Sequence, residues 1–89
     1  MNYLAFPVGS AGPGATVEVT LSGAESDVFL VDSVNLSKMK RSQSFHYTGG
    51  HYRQSPIQLP VPSLAAWTAV VIPTGGRVQA SVRLVAQAS

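Results

Sequence analysis

The sequence predicts an all-β fold, namely a small antiparallel β-sandwich or jelly-roll-like barrel of about six or seven short strands. Short segments alternate apolar and polar residues with a period of two, and Gly- or Pro-rich turns recur at roughly ten-residue spacing. The one helical signal is too short to be a domain-level helix. Because 89 residues leave room for one hydrophobic core, we expect residues 1–89 to form a single all-β domain.

The first third of the chain predicts three strands. A short strand around residues 3–6 ends at a break over residues 9–14, where glycine and proline are concentrated. Residues 16–21 alternate apolar and polar side chains, a pattern typical of a half-buried strand. Residues 27–32 contain a continuous apolar run over 28–31, which predicts a central strand covered on both faces.

The middle of the chain predicts one helical turn and two weaker strands. Asp32 can cap a short helical turn over residues 35–40. Residues 45–47 predict a brief strand that is closed by the two glycines at 49–50. Residues 55–62 alternate inward and outward but contain prolines, which cannot donate ladder hydrogen bonds. This segment therefore predicts an edge strand, partly in the polyproline II conformation.

The last third predicts a buried strand followed by a half-buried one. Residues 67–72 are a continuous apolar run rich in β-branched side chains, and residues 73–76 predict a hairpin-type turn. The final strand alternates throughout, so its two faces can be assigned. The side chains expected to point inward are Val78, Ala80, Val82 and Leu84, and those expected to point outward are Arg77, Gln79, Ser81 and Arg83.

Several segments occur in the order typical of one bacterial family. They are residues 17–21, 30–35, 47–52, Ser55-Pro56, 60–62 and Trp67. On these segments the chain resembles DUF1883, a domain of unknown function, and the resemblance covers roughly residues 1–85. It implies an all-β sandwich that occurs alone or joined to a TIR domain in bacterial proteins. It also implies a sensor or interaction module rather than an enzyme, by association with that neighbour.

The composition predicts that part of the surface is covered by another protein. Charged residues make up 11% of the chain, far below the roughly 25% of an ordinary domain, whereas 45% are hydrophobic. So few charges leave a surface that a partner can cover. We therefore expect a homo-oligomer or a protein partner.

The charge pattern and the chain start exclude several other classes. The net charge of +2 is too small for a typical nucleic-acid-binding protein, so a nucleic-acid partner is not expected. No apolar run approaches the roughly 18 residues of a membrane span, so no membrane association is expected. The first residues lack the pattern of a secretory signal, which predicts a cytoplasmic location.

A polar, basic and aromatic segment over residues 38–53 is the candidate binding region. It begins with a basic patch formed by Lys38, Lys40 and Arg41. Aromatic faces beside cations suit a small anionic ligand such as a nucleotide, or a carbohydrate, and glycines let a ligand approach the backbone. The candidate ligand-binding residues are Tyr47, Gly49, Gly50, His51, Tyr52 and Arg53. The alternative is that the aromatics pack inward and the glycines form an ordinary turn.

Catalytic and metal-binding functions have little support. His46, His51 and Asp32 could be metal ligands, but no spacing enforces a coordination geometry. No nucleophile motif accompanies the histidines, and no cysteine is present. We expect no catalytic residues, no metal and no cofactor. The leading hypothesis is a non-catalytic, self-associating interaction or sensor module, and the alternative is a small-ligand-binding domain of a bacterial defence or signalling system.

Overall fold

The fold consists of two antiparallel sheets packed face to face, with one short helix on the outer side of the larger sheet. The structure, a computed structural model, describes residues 3–86. Its elements are β1 (Leu4–Ala11), β2 (Ala15–Gly23), β3 (Ser26–Asp32), α1 (Ser33–Lys40), β4 (Thr48–Tyr52), β5 (Ile57–Pro60), β6 (Ala65–Pro73) and β7 (Val78–Ala86). The predicted all-β sandwich of about seven strands is confirmed. No helix in this part of the chain is long and apolar enough to cross a membrane.

The strand order places β3 and β6, whose residues are mostly buried, at the centre of the larger sheet, and β2 at the centre of the smaller one. The four-stranded sheet has the order β1-β6-β3-β4, and the three-stranded sheet has the order β5-β2-β7. Every pairing is antiparallel. The segment predicted to be an edge strand forms β5, which is an edge of the smaller sheet, as expected from its prolines.

The main hydrophobic core lies between the two sheets. Alternate residues of the facing strands fill it, because side chains of a strand point to opposite faces in turn. On β2 two apolar residues of the predicted alternation, Val17 and Val19, are fully buried. The buried members of this core are Ala11, Val17, Val19, Val28, Leu30, Ile57, Leu59, Val61, Trp67, Ala69 and Val71.

A second, smaller core covers the outer face of the four-stranded sheet. Val28 and Leu30 of β3 face the main core, whereas the alternate residues Phe29 and Val31 point to the other side. There they pack with Val70 of β6 and with Met39 of α1, all buried. The apolar run of β3 is therefore covered on both faces, as predicted.

The helix that covers this second core has the predicted cap, but it begins at Ser33, two residues before the predicted helical turn over 35–40. Asp32 is its N-cap, and its Oδ1 accepts hydrogen bonds from the backbone N of Asn35 at 2.8 Å and from Asn35 Nδ2 at 2.9 Å. Such a cap satisfies one of the free N–H groups of the first turn. The helix occupies eight residues, Ser33–Lys40, and ends with the basic side chains of Lys38 and Lys40 in its last turn.

The strand predicted over residues 45–47 is wrong. These residues connect α1 to β4, and the strand is Thr48–Tyr52, with Gly49 and Gly50 inside it rather than in a turn. Phe45 makes no strand pairing, and its side chain packs against the second core. Tertiary packing against β3 thus outweighs the higher β propensity of the Phe-His-Tyr sequence.

Two predicted turns also differ from the structure. Strand β1 continues past Gly9 to Ala11, with a register shift between Pro7 and Gly9. Residues 73–76 do not form a hairpin, because β6 already pairs with β1 and β3 and the chain therefore passes to the other sheet to form β7. In β7, Val78, Ala80 and Val82 face the main core as predicted, but the side chain of Leu84 is 41% exposed.

Candidate functional site

A cavity of about 290 Å³ lies on the outer face of the four-stranded sheet, between α1, β3 and β4. We call it the outer cavity. Apolar side chains form most of its lining, and two titratable side chains face it from the neighbouring strands β3 and β4. The lining residues are Asp27, Phe29, Met39, Phe45, Tyr47, Gly50, His51 and Ile72.

Three aromatic rings form one wall of the outer cavity. The ring centroids of Phe29 and Tyr47 are 5.2 Å apart, those of Phe45 and Tyr47 are 5.6 Å apart, and all three pairs are tilted. Such tilted contacts are a favoured geometry for aromatic pairs. The segment that carries two of these rings is fixed to the helix, because the backbone N of His46 donates to Asn35 Oδ1 at 2.8 Å. The aromatic wall is thus held by both β3 and α1.

The predicted ligand-binding residues His51 and Arg53 are paired with acids at the start of β3 and just before it. His51 Nδ1 lies 2.8 Å from Asp27 Oδ1, and its Nε2 lies 3.5 Å from Glu25 Oε1. Arg53 Nε lies 3.1 Å from Glu25 Oε2. The register of β3 and β4, which places Asp27 opposite His51, makes these contacts possible. The local charge is therefore balanced rather than strongly positive.

These contacts raise the pKa of His51. The hydrogen bond to Asp27 is the largest cause, desolvation opposes it, and the negative charge of Glu25 adds to it. Because the folded-state pKa lies above the unfolded one, folding is favoured by protonation. The stabilisation is fully present below the ordinary histidine pKa of about 6.5 and is lost as the pH rises through the folded-state pKa.

We therefore expect the free energy of unfolding to decrease as the pH rises from about 6 to about 8, and we expect His51→Gln to reduce this slope. Urea denaturation at a series of pH values measures the free energy of unfolding and its slope with pH for both proteins. The pKa of Glu18 is lowered, chiefly by its hydrogen bond to Arg83, so Glu18 loses its contribution only as the pH falls toward the acidic range. An unchanged slope in His51→Gln would contradict the assignment to this histidine.

The other predicted site residues do not all share one surface. Tyr52 packs against the main core between the sheets, on the opposite face of β4 from His51. Lys38, Lys40 and Arg41 lie at the end of α1 and do not line the outer cavity. The structure thus brings Tyr47, His51 and the backbone of Gly50 together at the cavity and leaves the basic patch apart from it.

The sequence interpretation missed the acids of this region. Asp27 is 24 residues away from His51 in sequence, so their contact becomes visible only with the pairing of β3 and β4. The metal site considered for His46, His51 and Asp32 is not assembled. Within residues 3–86, no three side chains of metal-ligating type converge in a manner that could hold an ion.

A second candidate surface lies on the opposite side of the sandwich, where the edge strands β1 and β7 of the two sheets run beside each other. We call it the β1–β7 gap. It contains two open cavities, one of about 620 Å³ and one of about 330 Å³. Their lining residues are Leu4, Ser22, Pro73, Gly76, Arg77, Val78 and Gln79 for the larger, and Phe6, Pro7, Val8, Val82, Arg83 and Leu84 for the smaller.

The comparisons with known proteins identify a family. Neither a curated protein nor a solved structure matches the chain. The family model for DUF1883, a domain of unknown function, matches residues 1–88, which is nearly the whole sequence and includes every strand and the helix. The chain therefore belongs to the DUF1883 family.

Proposed function

We propose that this domain is a non-catalytic interaction module that associates with a second copy of itself through strand β7. The proposal rests on the length of that strand and on its unpaired edge. β7 has nine residues, and within residues 3–86 it pairs with β2 alone, so one of its edges has unused N–H and C=O groups. An exposed, regular edge of this length is a template for a further strand.

The other three edges are interrupted, which makes β7 the exception. β4 has five residues, two of them glycine, and β5 has four residues and ends at Pro60. β1 contains Pro7 and a register shift before Gly9. Short strands, prolines and bulges are the usual ways in which proteins prevent edge-to-edge pairing. β7 has none of them: it is long and contains neither proline nor glycine.

The charges of β7 allow it to pair with a second copy. Its one charged side chain, Arg83, is paired with Glu18, with 2.8 Å between Arg83 Nε and Glu18 Oε1. In an antiparallel pairing centred on Val82, Arg83 of one copy faces Ser81 of the other, and Ala80 faces Leu84. No like charges are then opposed across the pair, which is the condition for a favourable contact.

Exposed apolar surface next to this edge also favours association. The side chain of Leu84 is 41% exposed at the β1–β7 gap, and Leu4, on the β1 side, is 38% exposed. A strand added to β7 would cover part of this gap and remove the apolar side chains from water. Burial of apolar area contributes roughly 25 cal/mol per Å². The low charge content of the sequence is consistent with such a covered surface.

The test is the mass in solution over a range of protein concentrations. We expect light scattering and sedimentation to give twice the 9.3 kDa monomer mass at high concentration and the monomer mass on dilution. Ser81→Lys places a second positive charge opposite Arg83 of the other copy, and we expect it to weaken association at least tenfold, because like charges directly opposite each other are destabilising.

A charge-matched variant controls for net charge. Gln54 is exposed in the segment between β4 and β5, on the side away from β7, so Gln54→Lys adds the same charge elsewhere. It should associate like the unmodified chain. A chain that stays at the monomer mass at millimolar concentration would contradict self-association, and equal dimerisation by Ser81→Lys would contradict the β7 edge.

A further inference from the structure

The size of the outer cavity matches a compact ligand. Its volume of about 290 Å³ is at the lower limit of small-molecule sites, which occupy roughly 300–1,000 Å³. The floor and walls are mostly apolar, with Phe29, Met39 and Ile72 among them. A ligand of one ring or two fused rings fills this volume, whereas a dinucleotide or an oligosaccharide is too large.

The shape of the walls favours a planar ligand. Phe45 is half-buried and the side chain of Tyr47 is 57% exposed, so ring surface of both residues is accessible from the cavity. Aromatic rings bind flat groups through offset or tilted contacts. The segment carrying them is anchored to α1 through Asn35, so the wall does not have to form when a ligand arrives.

The polar atoms at the cavity indicate what the ligand must present. Asp27 uses Oδ1 to contact His51, and no residue among 3–86 hydrogen-bonds its Oδ2. A carboxylate oxygen accepts hydrogen bonds and donates none when ionised. His51 is engaged on both ring nitrogens, by Asp27 and by Glu25. Asp27 Oδ2 is therefore a free carboxylate acceptor at the cavity, and it favours a ligand with an N–H or O–H donor.

The charges around the cavity disfavour an anion. Recognition of phosphate or carboxylate needs cationic donors that are available to it. Here His51, which lines the cavity, and Arg53, two residues further along, are paired with Asp27 and Glu25, and Asp27 would lie close to a bound anion. Because the charges are balanced in this way, the cavity is less suited to the small anionic ligand that the sequence predicts.

From these observations we propose that the outer cavity binds a small planar heteroaromatic molecule that carries N–H donors and no negative charge. Its ring lies against Phe45 and Tyr47, and its donor group hydrogen-bonds to Asp27 Oδ2. Binding at this face is separate from association at β7, because the cavity is on the outer side of the four-stranded sheet and β7 belongs to the other sheet. Either activity can therefore be lost without the other.

Two probes of one shape test the ligand class. 2-Aminobenzimidazole has the ring and the N–H donors, whereas benzimidazole-2-carboxylate has the same ring system with an anionic group. We expect 2-aminobenzimidazole to shift the backbone amide NMR signals of Tyr47, Gly50 and His51, and to bind at least tenfold more tightly than the carboxylate. Equal binding of both probes, shifts confined to another surface, or no shifts at millimolar concentration would each overturn the proposal.

Variants then test the contact atoms. Asp27→Asn should weaken binding of 2-aminobenzimidazole at least tenfold, and Glu18→Gln, which alters a carboxylate on the other sheet, should leave it unchanged. Amide signal dispersion shows whether each variant is folded. Should Asp27→Asn unfold the domain, Tyr47→Ala removes an exposed part of the aromatic wall and should weaken binding at least threefold. Unchanged binding by a folded Asp27→Asn or by Tyr47→Ala would contradict this assignment of the site.

Discussion

Replacing Gly49 with alanine should destabilise the fold by about 2–5 kcal/mol, a large share of the roughly 5–15 kcal/mol that holds a typical domain together. Gly49 has φ +147°, a conformation that residues with a Cβ rarely adopt. A Cβ at this position would lie 2.2 Å from the carbonyl oxygen of Val28 and 2.6 Å from the Cα of Phe29. Both neighbours belong to the central strand β3, so neither can move without disturbing both cores.

The adjacent glycine provides the control for this prediction. A Cβ at Gly50 would meet no atom within 4 Å, and its φ lies outside the left-handed region. We expect Gly50→Ala to leave stability unchanged or to raise it by up to about 1 kcal/mol, because alanine restricts the unfolded chain. Urea denaturation at one low protein concentration measures both variants without a contribution from association. Equal losses would mean that the backbone of β4 tolerates no side chain at either position.

Truncating Phe29 to alanine should cost about 3–5 kcal/mol. Phe29 is 5% exposed, and it packs with Val31, Val70 and Met39 beneath the helix. Its removal leaves a cavity in the second core and takes away two of the three aromatic contacts of the cavity wall. A loss of this size would show that the second core, and not only the core between the sheets, contributes strongly to the stability of this domain.

Tyr47→Ala is the matched control, because it removes another ring of the same aromatic cluster. Tyr47 is 57% exposed, so it loses its ring contacts but opens no buried void. We expect a loss of about 1 kcal/mol or less. Thermal or urea unfolding compares the two variants directly. Similar losses for Phe29→Ala and Tyr47→Ala would indicate that the outer face is only a loosely packed surface.

The architecture could be predicted because its main signals are local. The alternation over residues 16–21 and 78–84 fixes which side chains face a core, and the apolar run of β3 needs cover on both sides. The cap at Asp32 depends on residues three positions apart, so the capping residue of α1 could also be predicted, although the helix begins two residues before the predicted turn. In each case the determining residues are close together in the sequence.

The site could not be predicted to the same extent, because its interactions join distant parts of the chain. The sequence does not distinguish Gly49 from Gly50, yet contacts from β3 make one essential to the backbone and leave the other free. The same pairing of β3 with β4 sets Asp27 against His51 and so changes the expected electrostatics. Residue type indicated where the candidate site lies, and only strand register revealed its charge balance.

The proline at the end of β5 would limit the size of the proposed β7 assembly. When two copies join along β7 about a twofold axis, their small sheets merge into one sheet of six strands, and β5 forms both outer edges. Pro60 has no N–H to offer at that edge, and β5 is only four residues long. In the proposed dimer the contact would therefore be self-complementary and closed, and we expect a discrete dimer instead of a fibre that grows by strand addition.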